Sequence, residues 1–472
     1  MIDLSIGEVA DVLGAQIKGD VGLVTTLAFP SVSIDSRTIQ KGECFIAFEG
    51  ERFNGHNFID EALEKGASVV VLSQNSAVHS NWQDRLFLEV NDTEIALQAL
   101  AHYVRRKWGK SLAAISGSVG KTTTREFIKT LLERRFHVIQ SPGNLNNKVG
   151  VPLSLLQISP AHEIAILELG MSRPGEIRIL THMCAPDTAL LTNVATVHAE
   201  FFSGLDEIAS AKGEILEGLS STGKFFFNID DPLLRSLASS FSGDKISFGL
   251  DNPCDFRISN YDFKDLDKMS FDIEFESDRL RATAYFMGRH FLYNIVAAVA
   301  VCVNFGLSHE EIVEGISRLK VPLMRGQIFK FSRGNEGLIT VWDDSYNSSP
   351  LALNTVLETV AELHGFRRKV LALGEMLELG SQSSELHRQA GHAVARCRAD
   401  DLVTVGSGGI YIGQGAKEKG FPAERIIHFE SSQEAAEFLI GELHPGEFLL
   451  VKGSRGVGMD RVVRRLKERG EN

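Results

Sequence analysis

The segment from Leu112 to Arg135 restricts the fold more than any other part of the sequence. "LAAIS" is a continuous apolar run typical of a buried strand, and "TTTREFIKTLLERR" carries its apolar residues on one helical face. Between them lies the stretch "SGSVGKTTT" (116–124). A turn between a buried strand and a helix directs free backbone N–H groups and the helix dipole at one point. The segment therefore predicts a phosphate-binding loop in an open α/β sheet.

The residues of this loop predict how ATP is held. Gly117 and Gly120 allow the backbone to close around phosphate oxygens. Lys121 is long enough to reach the β- and γ-phosphates, and the hydroxyl of Thr122 is a suitable ligand for Mg²⁺. The alternative is a chance match in a glycine-rich turn, which the flanking strand and helix disfavour. The predicted ATP-binding residues of the loop are Ser116, Gly117, Ser118, Val119, Gly120, Lys121, Thr122 and Thr123.

The loop by itself does not choose among kinases, GTPases, motors and ligases. Ile115 stands where the longer pattern G-x-x-x-x-G-K-[ST] has its first glycine. The guanine-reading pattern N-K-x-D is absent, because Asn147-Lys148 is followed by Val149-Gly150. The shortened loop is therefore a clue to the family rather than an argument against ATP.

Composition sets the broad class of the protein. A chain of 472 residues corresponds to roughly three domains of ~150 residues each. The net charge of −12 argues against broad nucleic-acid binding. Five cysteines without a C-x-x-C pair fit a reducing cytosol and no structural zinc. The N-terminus lacks a basic signal-peptide region, and the longest apolar run, 295–303, is too short to cross a bilayer. We expect a cytoplasmic protein without membrane insertion.

The pattern of strands and helices predicts three α/β units in series, with boundaries near 109 and 323. Residues 1–108 mix short strands with two amphipathic helices. In 109–322, buried strands alternate with amphipathic helices, which is typical of a mostly parallel sheet, and 246–286 looks antiparallel. In 323–472 the runs "LITVWDD", "KVLALGEM", "DLVTVG" and "EFLLVKG" predict four more buried strands.

Three polar residues follow the strands of the middle unit. Glu168 ends the strand "AILE", where a carboxylate can hold Mg²⁺ or simply hydrogen-bond to a loop. His198 lies in the loop after the next strand. Lys212 falls on the apolar face of the helix that begins near Ser203. The position of this lysine favours a snorkelling side chain, but a phosphate contact or a chemically altered lysine stays open.

At these residues the chain resembles the Mur ligases, the ATP-dependent amide ligases of peptidoglycan precursor synthesis. The family loop G-x-x-G-K-[TS]-[TS] matches "GSVGKTT", and the family acid, histidine and lysine match Glu168, His198 and Lys212. Further matching segments are "DSRTIQKGECFIAFEGERFNGHNFIDEALEKGA" (35–67), "GNLNNKVGVPLSLL" (143–156), "DDSYNSSP" (343–350), "GEMLELG" (374–380) and "VKGSRG" (451–456). In the family the lysine is often carbamylated, which reverses the preference for snorkelling.

The resemblance implies a role for each matched position. Lys121, His198 and Lys212 would be catalytic, while Thr122, Glu168, His198 and Lys212 would hold two Mg²⁺ ions. Asn294 would contact adenine, and Arg325 and Asp344 would close on the ribose and phosphates of ATP. The implied substrate-binding residues are Ser36, Arg37, Asn54, Gly55 and His56 for the uridine end, Asn144 and Asn147 for the muramoyl-peptide, and Tyr346 and Asn347 for the incoming dipeptide.

The resemblance also implies the activity. It is strongest to the member of the family that joins D-alanyl-D-alanine to UDP-N-acetylmuramoyl-tripeptide through an acyl phosphate. The implied architecture is an N-terminal nucleotide-sugar domain, a central ATP-binding domain and a C-terminal Rossmann-like domain, in a monomeric enzyme. Another ligase of the same superfamily and a nucleotide-driven switch or transport ATPase remain the alternatives. The sequence leaves the third residue of the tripeptide open.

Overall fold

A computed structural model describes residues 2–19, 22, 24, 28–50, 54–74, 85–197, 199–332 and 337–470. These residues form three sheets of five, nine and six strands, which follow one another along the chain. Each sheet carries helices between its strands, and this confirms the predicted series of three α/β units. No helix among the described residues is long and apolar enough to span a membrane.

The first unit has a sheet with the strand order β1-β5-β4-β3-β2. Strands β2 to β5 run parallel, and β1 pairs antiparallel with β5. Its elements are α1 (Ile6–Leu13), β1 (Gln16–Gly19), β2 (Val32–Ser33), β3 (Cys44–Ile46), α2 (Ile59–Glu64), β4 (Val69–Ser73), β5 (Leu86–Val90) and α3 (Thr93–Trp108).

The second unit has the strand order β14-β13-β12-β11-β10-β9-β6-β8-β7. Strands β6 to β12 are parallel, and β12 to β14 form an antiparallel meander at one edge. Its elements are β6 (Ser111–Ser116), α4 (Lys121–Leu132), β7 (Val138–Gln140), α5 (Gly150–Leu156), β8 (Ile164–Glu168), α6 (Glu176–Cys184), β9 (Thr188–Leu191), α7 (Leu205–Gly213), β10 (Lys224–Asn228), α8 (Pro232–Ser240), β11 (Lys245–Gly249), β12 (Phe256–Asp265), β13 (Lys268–Phe275), β14 (Asp278–Ala284), α9 (Arg289–Asn304) and α10 (His309–Ser317).

The third unit has the strand order β15-β16-β20-β17-β18-β19. All of its strands are parallel except the edge strand β15. Its elements are β15 (Gln327–Ser332), β16 (Leu338–Asp344), α11 (Pro350–Glu362), β17 (Arg368–Gly374), α12 (Ser383–Arg396), β18 (Asp401–Val405), α13 (Ser407–Glu418), β19 (Ile426–Phe429), α14 (Ser432–Glu442), β20 (Glu447–Lys452) and α15 (Asp460–Gly470).

Local sequence explains where several helices begin. Ser5 and Ser308 each form a capping box, in which the serine hydroxyl accepts from the third helical N–H and a glutamate accepts from the serine N–H. Asp231 and Ser349 cap α8 and α11, and each is followed by a proline at the first helical position. Because the central strands of the parallel sheets are buried on both faces, they appear in the sequence as continuous apolar runs.

Within the second unit the structure departs from the sequence expectation at two places. Strand β11 pairs in parallel with both β10 and β12, so the antiparallel region begins only at β12. The helix expected to run from near Ser203 to Leu219 is shorter: α7 ends at Gly213, and a 3₁₀ helix (Glu214–Gly218) follows. A Cβ atom at Gly213 would lie 2.9 Å from the Leu237 side chain, so α8 packs closely against the end of α7.

Candidate functional site

A cavity of about 1290 Å³ lies between the second and third units. The loop after β6 forms its floor, and the chain ends of β8, β9 and β16 open into it. The positions singled out from the sequence that line this cavity are Gly117, Ser118, Val119, Gly120, Lys121, Thr122, Thr123, Asn144, Asn147, Glu168, Lys212, Asn294, Arg325, Asp344, Tyr346 and Asn347. Residues far apart in the sequence thus meet at one place.

The loop between β6 and α4 has the backbone shape that its glycines permit. Gly117 and Gly120 have φ values of 142° and 88°, which favour glycine. A Cβ atom at Gly117 would lie 2.0 Å from the hydroxyl oxygen of Thr192, and one at Gly120 would lie 2.5 Å from Nδ2 of Asn294. Ser116 is fully buried at the end of β6, below the loop rather than in the cavity wall. Because a side chain at position 117 or 120 would clash with Thr192 or Asn294, both positions require glycine.

The segment after β9 supports the loop from the side. The backbone N–H of Val119 donates to Oδ1 of Asn193 (2.9 Å), and the hydroxyl of Thr192 donates to the Val119 carbonyl (2.6 Å). Neither Thr192 nor Asn193 was predicted from the sequence to have a role. Their position directly after a buried strand that ends at the cavity was the signal that could have identified them.

Lys121 begins α4 and folds back over its own loop. Its ammonium donates to the carbonyls of Gly117 (2.8 Å) and Ser118 (3.3 Å). Burial lowers the pKa of Lys121, the positive charge of Arg325 lowers it further, and Glu168 opposes both effects. The ammonium is thus held against the loop by two of the loop's own carbonyls.

Glu168 is the centre of a hydrogen-bond network at the end of β8. One carboxylate oxygen accepts from the hydroxyl of Thr122 (2.9 Å), and the other accepts from Nδ2 of Asn146 (2.8 Å). The guanidinium of Arg125 lies 3.6 Å from the same carboxylate. The structure thus joins the loop, the acid and the "GNLNN" segment, and it adds Asn146 and Arg125 to the residues predicted from the sequence.

Lys212 lies on the inner face of α7 and is only 3% exposed. In the part of the chain that the structure describes, no carboxylate lies at ion-pair distance from its ammonium and no acceptor hydrogen-bonds to it. Burial lowers the pKa of Lys212 well below the usual value, and the nearby charge of Lys121 lowers it further. The side chain reaches the cavity and not bulk solvent, so the snorkelling arrangement is not the one observed.

Asn294 and His290 project from the first turns of α9. Nδ2 of Asn294 donates to the Thr124 hydroxyl (3.0 Å) and lies 3.4 Å from the Gly120 carbonyl, so the amide braces the loop. The ring of His290 lines the cavity. Burial lowers the pKa of His290 to about 4, with Lys452 lowering it and Asp344 raising it.

The third unit contributes a buried ion pair to the opposite wall. Asp344 and Lys452 are register partners on the neighbouring strands β16 and β20, and their side chains meet at 2.5 Å. The ammonium of Lys452 also donates to the carbonyl of Asn347 (3.0 Å). Asp344 was predicted from the sequence, whereas Lys452 was not.

Two arginines lie over the ring of Tyr346. The guanidinium carbon of Arg325 is 4.0 Å from the ring centroid, and that of Arg455 is 5.5 Å from it. Among the described residues neither arginine has a carboxylate at ion-pair distance. Met324 precedes Arg325 with φ 59°, a backbone conformation that is uncommon for a non-glycine residue and is often found near functional sites. This wall of the cavity therefore carries two cations that no carboxylate of the described chain neutralises.

The remaining predicted residues fall into three groups. Asn147 turns the chain into α5, because its side-chain oxygen accepts from the N–H of Gly150 (2.8 Å). His198 lies outside the described residues. The positions predicted for the uridine end do not line the large cavity but lie beyond the chain ends of β2 and β3 in the first unit; they are Ser36, Arg37, Asn54, Gly55 and His56.

Side-chain contacts in the first unit hold these residues in place. The Ser36 hydroxyl donates to Glu61 (3.0 Å), and Arg37 forms a two-point ion pair with Asp35. The side chain of Asn54 accepts from the backbone N–H of His56 (3.0 Å), and Nε2 of the His56 ring accepts from the backbone N–H of Ser73 (3.0 Å). The contacts that hold Ser36 and Arg37 are therefore separate from those that hold Asn54 and His56.

Comparison with known families accounts for all three units. Residues 29–107 match the Mur ligase family catalytic domain, residues 115–302 the Mur ligase middle domain, and residues 324–455 the Mur ligase glutamate ligase domain. The chain belongs to the Mur ligase family.

Curated relatives and solved structures narrow the likeness to one kind of Mur ligase. The chain is 31% identical to the UDP-N-acetylmuramoyl-tripeptide–D-alanyl-D-alanine ligase of Bacillus subtilis, over 93% of each chain. It is 31% identical to the Escherichia coli enzyme of the same name, over 100% of each. The structure of MurF from Acinetobacter baumannii matches with a TM-score of 0.87, at 27% identity and over 99% of each chain. MurF from Thermotoga maritima, solved in complex with ADP, matches with a TM-score of 0.82, at 27% identity over 94% of this chain and 98% of that one.

Proposed function

We propose that the protein is an ATP-dependent amide ligase that joins D-alanyl-D-alanine to UDP-N-acetylmuramoyl-tripeptide and releases ADP and phosphate. The observation that carries this proposal is the shared cavity, in which the phosphate loop of the second unit faces cationic and polar side chains of the third. The full-length likeness to ligases of that name supports the choice of substrates. Another ligase of the superfamily with a different amine is the alternative.

The first chemical step makes the peptide carboxylate reactive. A carboxylate oxygen of the tripeptide would attack the γ-phosphorus of ATP, the bond to the bridging oxygen would break, and ADP would leave. The product is an acyl phosphate. Lys121, which contacts the loop through the Gly117 carbonyl, and the N–H groups of the loop would stabilise the negative charge that builds on the transferred group. Arg325, whose charge already acts on Lys121, would add to this stabilisation from the third unit.

The second step forms the amide. The amine of D-alanyl-D-alanine would attack the acyl carbon, a tetrahedral intermediate would collapse, and phosphate would leave while the nitrogen loses a proton. Water competes with the amine at this stage. Because the reaction space lies between two units, its closure would exclude water from the acyl phosphate.

The residues around Glu168 suit Mg²⁺. Thr122 and Glu168 already present hydroxyl and carboxylate oxygens 2.9 Å apart, and hard oxygen donors are the ligands that this ion prefers. No cluster of three histidine, cysteine or acidic side chains occurs among the described residues, which fits an ion held largely by phosphate and water. Mg²⁺ at Thr122 and Glu168 would neutralise phosphate charge during transfer.

We also propose that Lys212 becomes a carbamate. A buried amine with a lowered pKa is available as the neutral nucleophile, which adds to CO₂ and loses one proton to give an anion. The anion would offset the positive charge of Lys121 and supply oxygen ligands for a second Mg²⁺, together with His198. This gives a definite role to a buried lysine that has no carboxylate partner in the described part of the chain.

The other predicted residues retain their proposed roles. The described sheets support domains at 1–108, 109–322 and 323–472. The first domain would bind the uridine end of the nucleotide through the side chains listed for it above. Asn144 and Asn147 would contact the muramoyl-peptide, and Asn294 would lie near the adenine while bracing the loop.

The proposal is tested by the dependence of phosphate release on both substrates. Purified protein with ATP, Mg²⁺ and UDP-N-acetylmuramoyl-tripeptide should release little phosphate until D-alanyl-D-alanine is added. Mass spectrometry should then show the pentapeptide product in equal amount to the phosphate. Phosphate release that is independent of either substrate, without an amide product, would instead identify a switch or transport ATPase. Product formation only with a different amine would identify a sister ligase.

A further inference from the structure

We infer that Arg455 binds the free carboxylate of the incoming dipeptide, while Leu377 and Leu351 contact its methyl groups. This inference rests on the proposed function and assigns a subsite within the same cavity. Arg455 follows β20 in a short 3₁₀ helix (Arg455–Val457), and its side chain lines the cavity. None of these three residues was predicted from the sequence to have a role in the site.

The charge balance of the cavity points to Arg455. Its guanidinium lies over the Tyr346 ring and within 3.7 Å of the sulfur of Met324, and in the described chain no carboxylate pairs with it. Most described arginines of this acidic protein are matched by a carboxylate; Arg178, Arg279 and Arg368 are examples. An arginine left unpaired in a cavity is suited to an anionic ligand, because its planar donors match a carboxylate.

Arg325 and Arg455 are assigned to different ligands by their electrostatic surroundings. Arg325 contributes to the lowered pKa of Lys121 and is therefore close enough to act on the phosphate site. Arg455 shares the Tyr346 ring but follows Ser454, whose hydroxyl accepts from the N–H of Leu377, so it lies on the Leu377 side of the cavity. Three anionic groups must enter this cavity, namely the ATP phosphates, the reacting carboxylate of the tripeptide and the dipeptide carboxylate, and we assign Arg455 to the last.

Exposed apolar side chains line the same cavity as Arg455, and one of them, Leu377, lies beside it. Leu377 and Leu351 both line the cavity and are 44% and 40% exposed, so each presents a large apolar surface to the open space. The backbone fixes Leu377 beside Arg455. The Leu377 N–H donates to the hydroxyl of Ser454 (2.9 Å), and a Cβ atom at Gly456 would lie 2.8 Å from the Leu377 side chain.

This combination fits the chemistry of D-alanyl-D-alanine. The dipeptide has one amine that must reach the acyl phosphate, two methyl groups, and one carboxylate at its far end. A cation beside an apolar wall binds the last two features and leaves the amine free. A subsite of this kind would also favour dipeptides over larger or uncharged amines, because burying a polar side chain against the leucines carries a desolvation cost.

The experiment compares D-alanyl-D-alanine with D-alanyl-D-alaninamide, which lacks the negative charge. In the wild type, kcat/KM should be about 10- to 100-fold higher for the acid, as expected for loss of one charge-assisted interaction. Arg455→Gln should raise KM for the acid by a similar factor and bring the ratio of acid to amide near one. KM for ATP and for the nucleotide should change less than about twofold. Leu377→Ala should raise KM for both dipeptides without changing their ratio.

Arg461→Gln is the matched control, since Arg461 is exposed on the same segment but does not line the cavity. It should keep the wild-type ratio. An unchanged ratio in Arg455→Gln, or a wild type that uses acid and amide equally well, would overturn the inference while leaving the ligase activity in place. Absence of any product with D-alanyl-D-alanine in the wild type would instead refute the proposed function, and the inference with it.

Discussion

Replacing Lys452 by methionine should destabilise the C-terminal unit while leaving its shape nearly unchanged. Lys452 is 3% exposed, and its ammonium lies 2.5 Å from the Asp344 carboxylate and 3.0 Å from the Asn347 carbonyl. Methionine has a similar length but no charge and no donor. The substitution therefore leaves a buried carboxylate without its cation and a carbonyl without its donor.

The expected cost is about 3–5 kcal/mol, the usual range when one partner of a buried ion pair is removed. Much of this cost comes from the uncompensated charge on Asp344 and not from the lost attraction. The double variant Lys452→Met/Asp344→Asn removes both charges and should recover about 2 kcal/mol or more of that loss. Lys417→Met changes an exposed lysine of the same unit and should cost less than about 0.5 kcal/mol.

Hydrogen–deuterium exchange of peptides from β16 and β20 measures the effect locally, which suits a chain of several domains. Exchange should accelerate in Lys452→Met and slow again in the double variant. The pKa of His290, about 4 in the wild type, should rise in the single variant, because Lys452 is a cause of its lowering. If the single and double variants exchange equally fast, the uncompensated charge is not the source of the cost.

Three further predictions concern the site. Lys212→Ala should abolish turnover, and added acetate should restore part of it. The wild type supplied with ¹³C-bicarbonate should show a carbamate signal in its ¹³C NMR spectrum, and this signal should be absent in the variant. Full activity of the variant without acetate would refute the carbamate. Gly117→Ala should abolish ATP turnover, because the added Cβ would lie 2.0 Å from Thr192. Gly420→Ala is the control, since Gly420 also has a positive φ but a Cβ there would have no atom within 4 Å. This control should lose only about 1 kcal/mol of stability and keep the wild-type KM for ATP. The pKa of His290 is about 4 in the folded protein and near 6.5 in the unfolded chain, so the contribution of the neutral ring to stability is present above pH 6.5 and is lost as the pH falls toward 4. The melting temperature of His290→Gln should therefore drop less than that of the wild type between pH 6.5 and pH 4. An equal drop in the two proteins would contradict the lowered pKa.

The features that the sequence predicted are mainly local ones. The phosphate loop joins a strand and a helix that are adjacent in the chain, so its residue pattern contains nearly all of its geometry. The inward position of Lys212 follows from helical periodicity over one element. The parallel strands were recognisable because burial on both faces gives long apolar runs.

The features that escaped prediction depend on partners distant in the sequence. Lys452 meets Asp344 because β20 is inserted beside β16, and 108 residues separate the two. Asn294 braces Gly120 across 174 residues, so its amide could be assigned to a ligand but not to the loop. Strands β15 and β19 were missed because they are edge strands with little full burial, and their residues give no continuous apolar run.

Helix α3 carries a consequence for anyone who divides this protein into fragments. Trp108 is the last residue of α3, and its indole N–H donates to the carbonyl of His162 (3.1 Å). The guanidinium of Arg105 donates to the carbonyls of Cys184 (2.7 Å) and Ala185 (2.9 Å). These acceptors all belong to the neighbouring unit. A polypeptide ending at residue 108 would keep the helix but lose the partners of a 6% exposed arginine, so expression of the first unit alone should begin from a redesigned α3 surface.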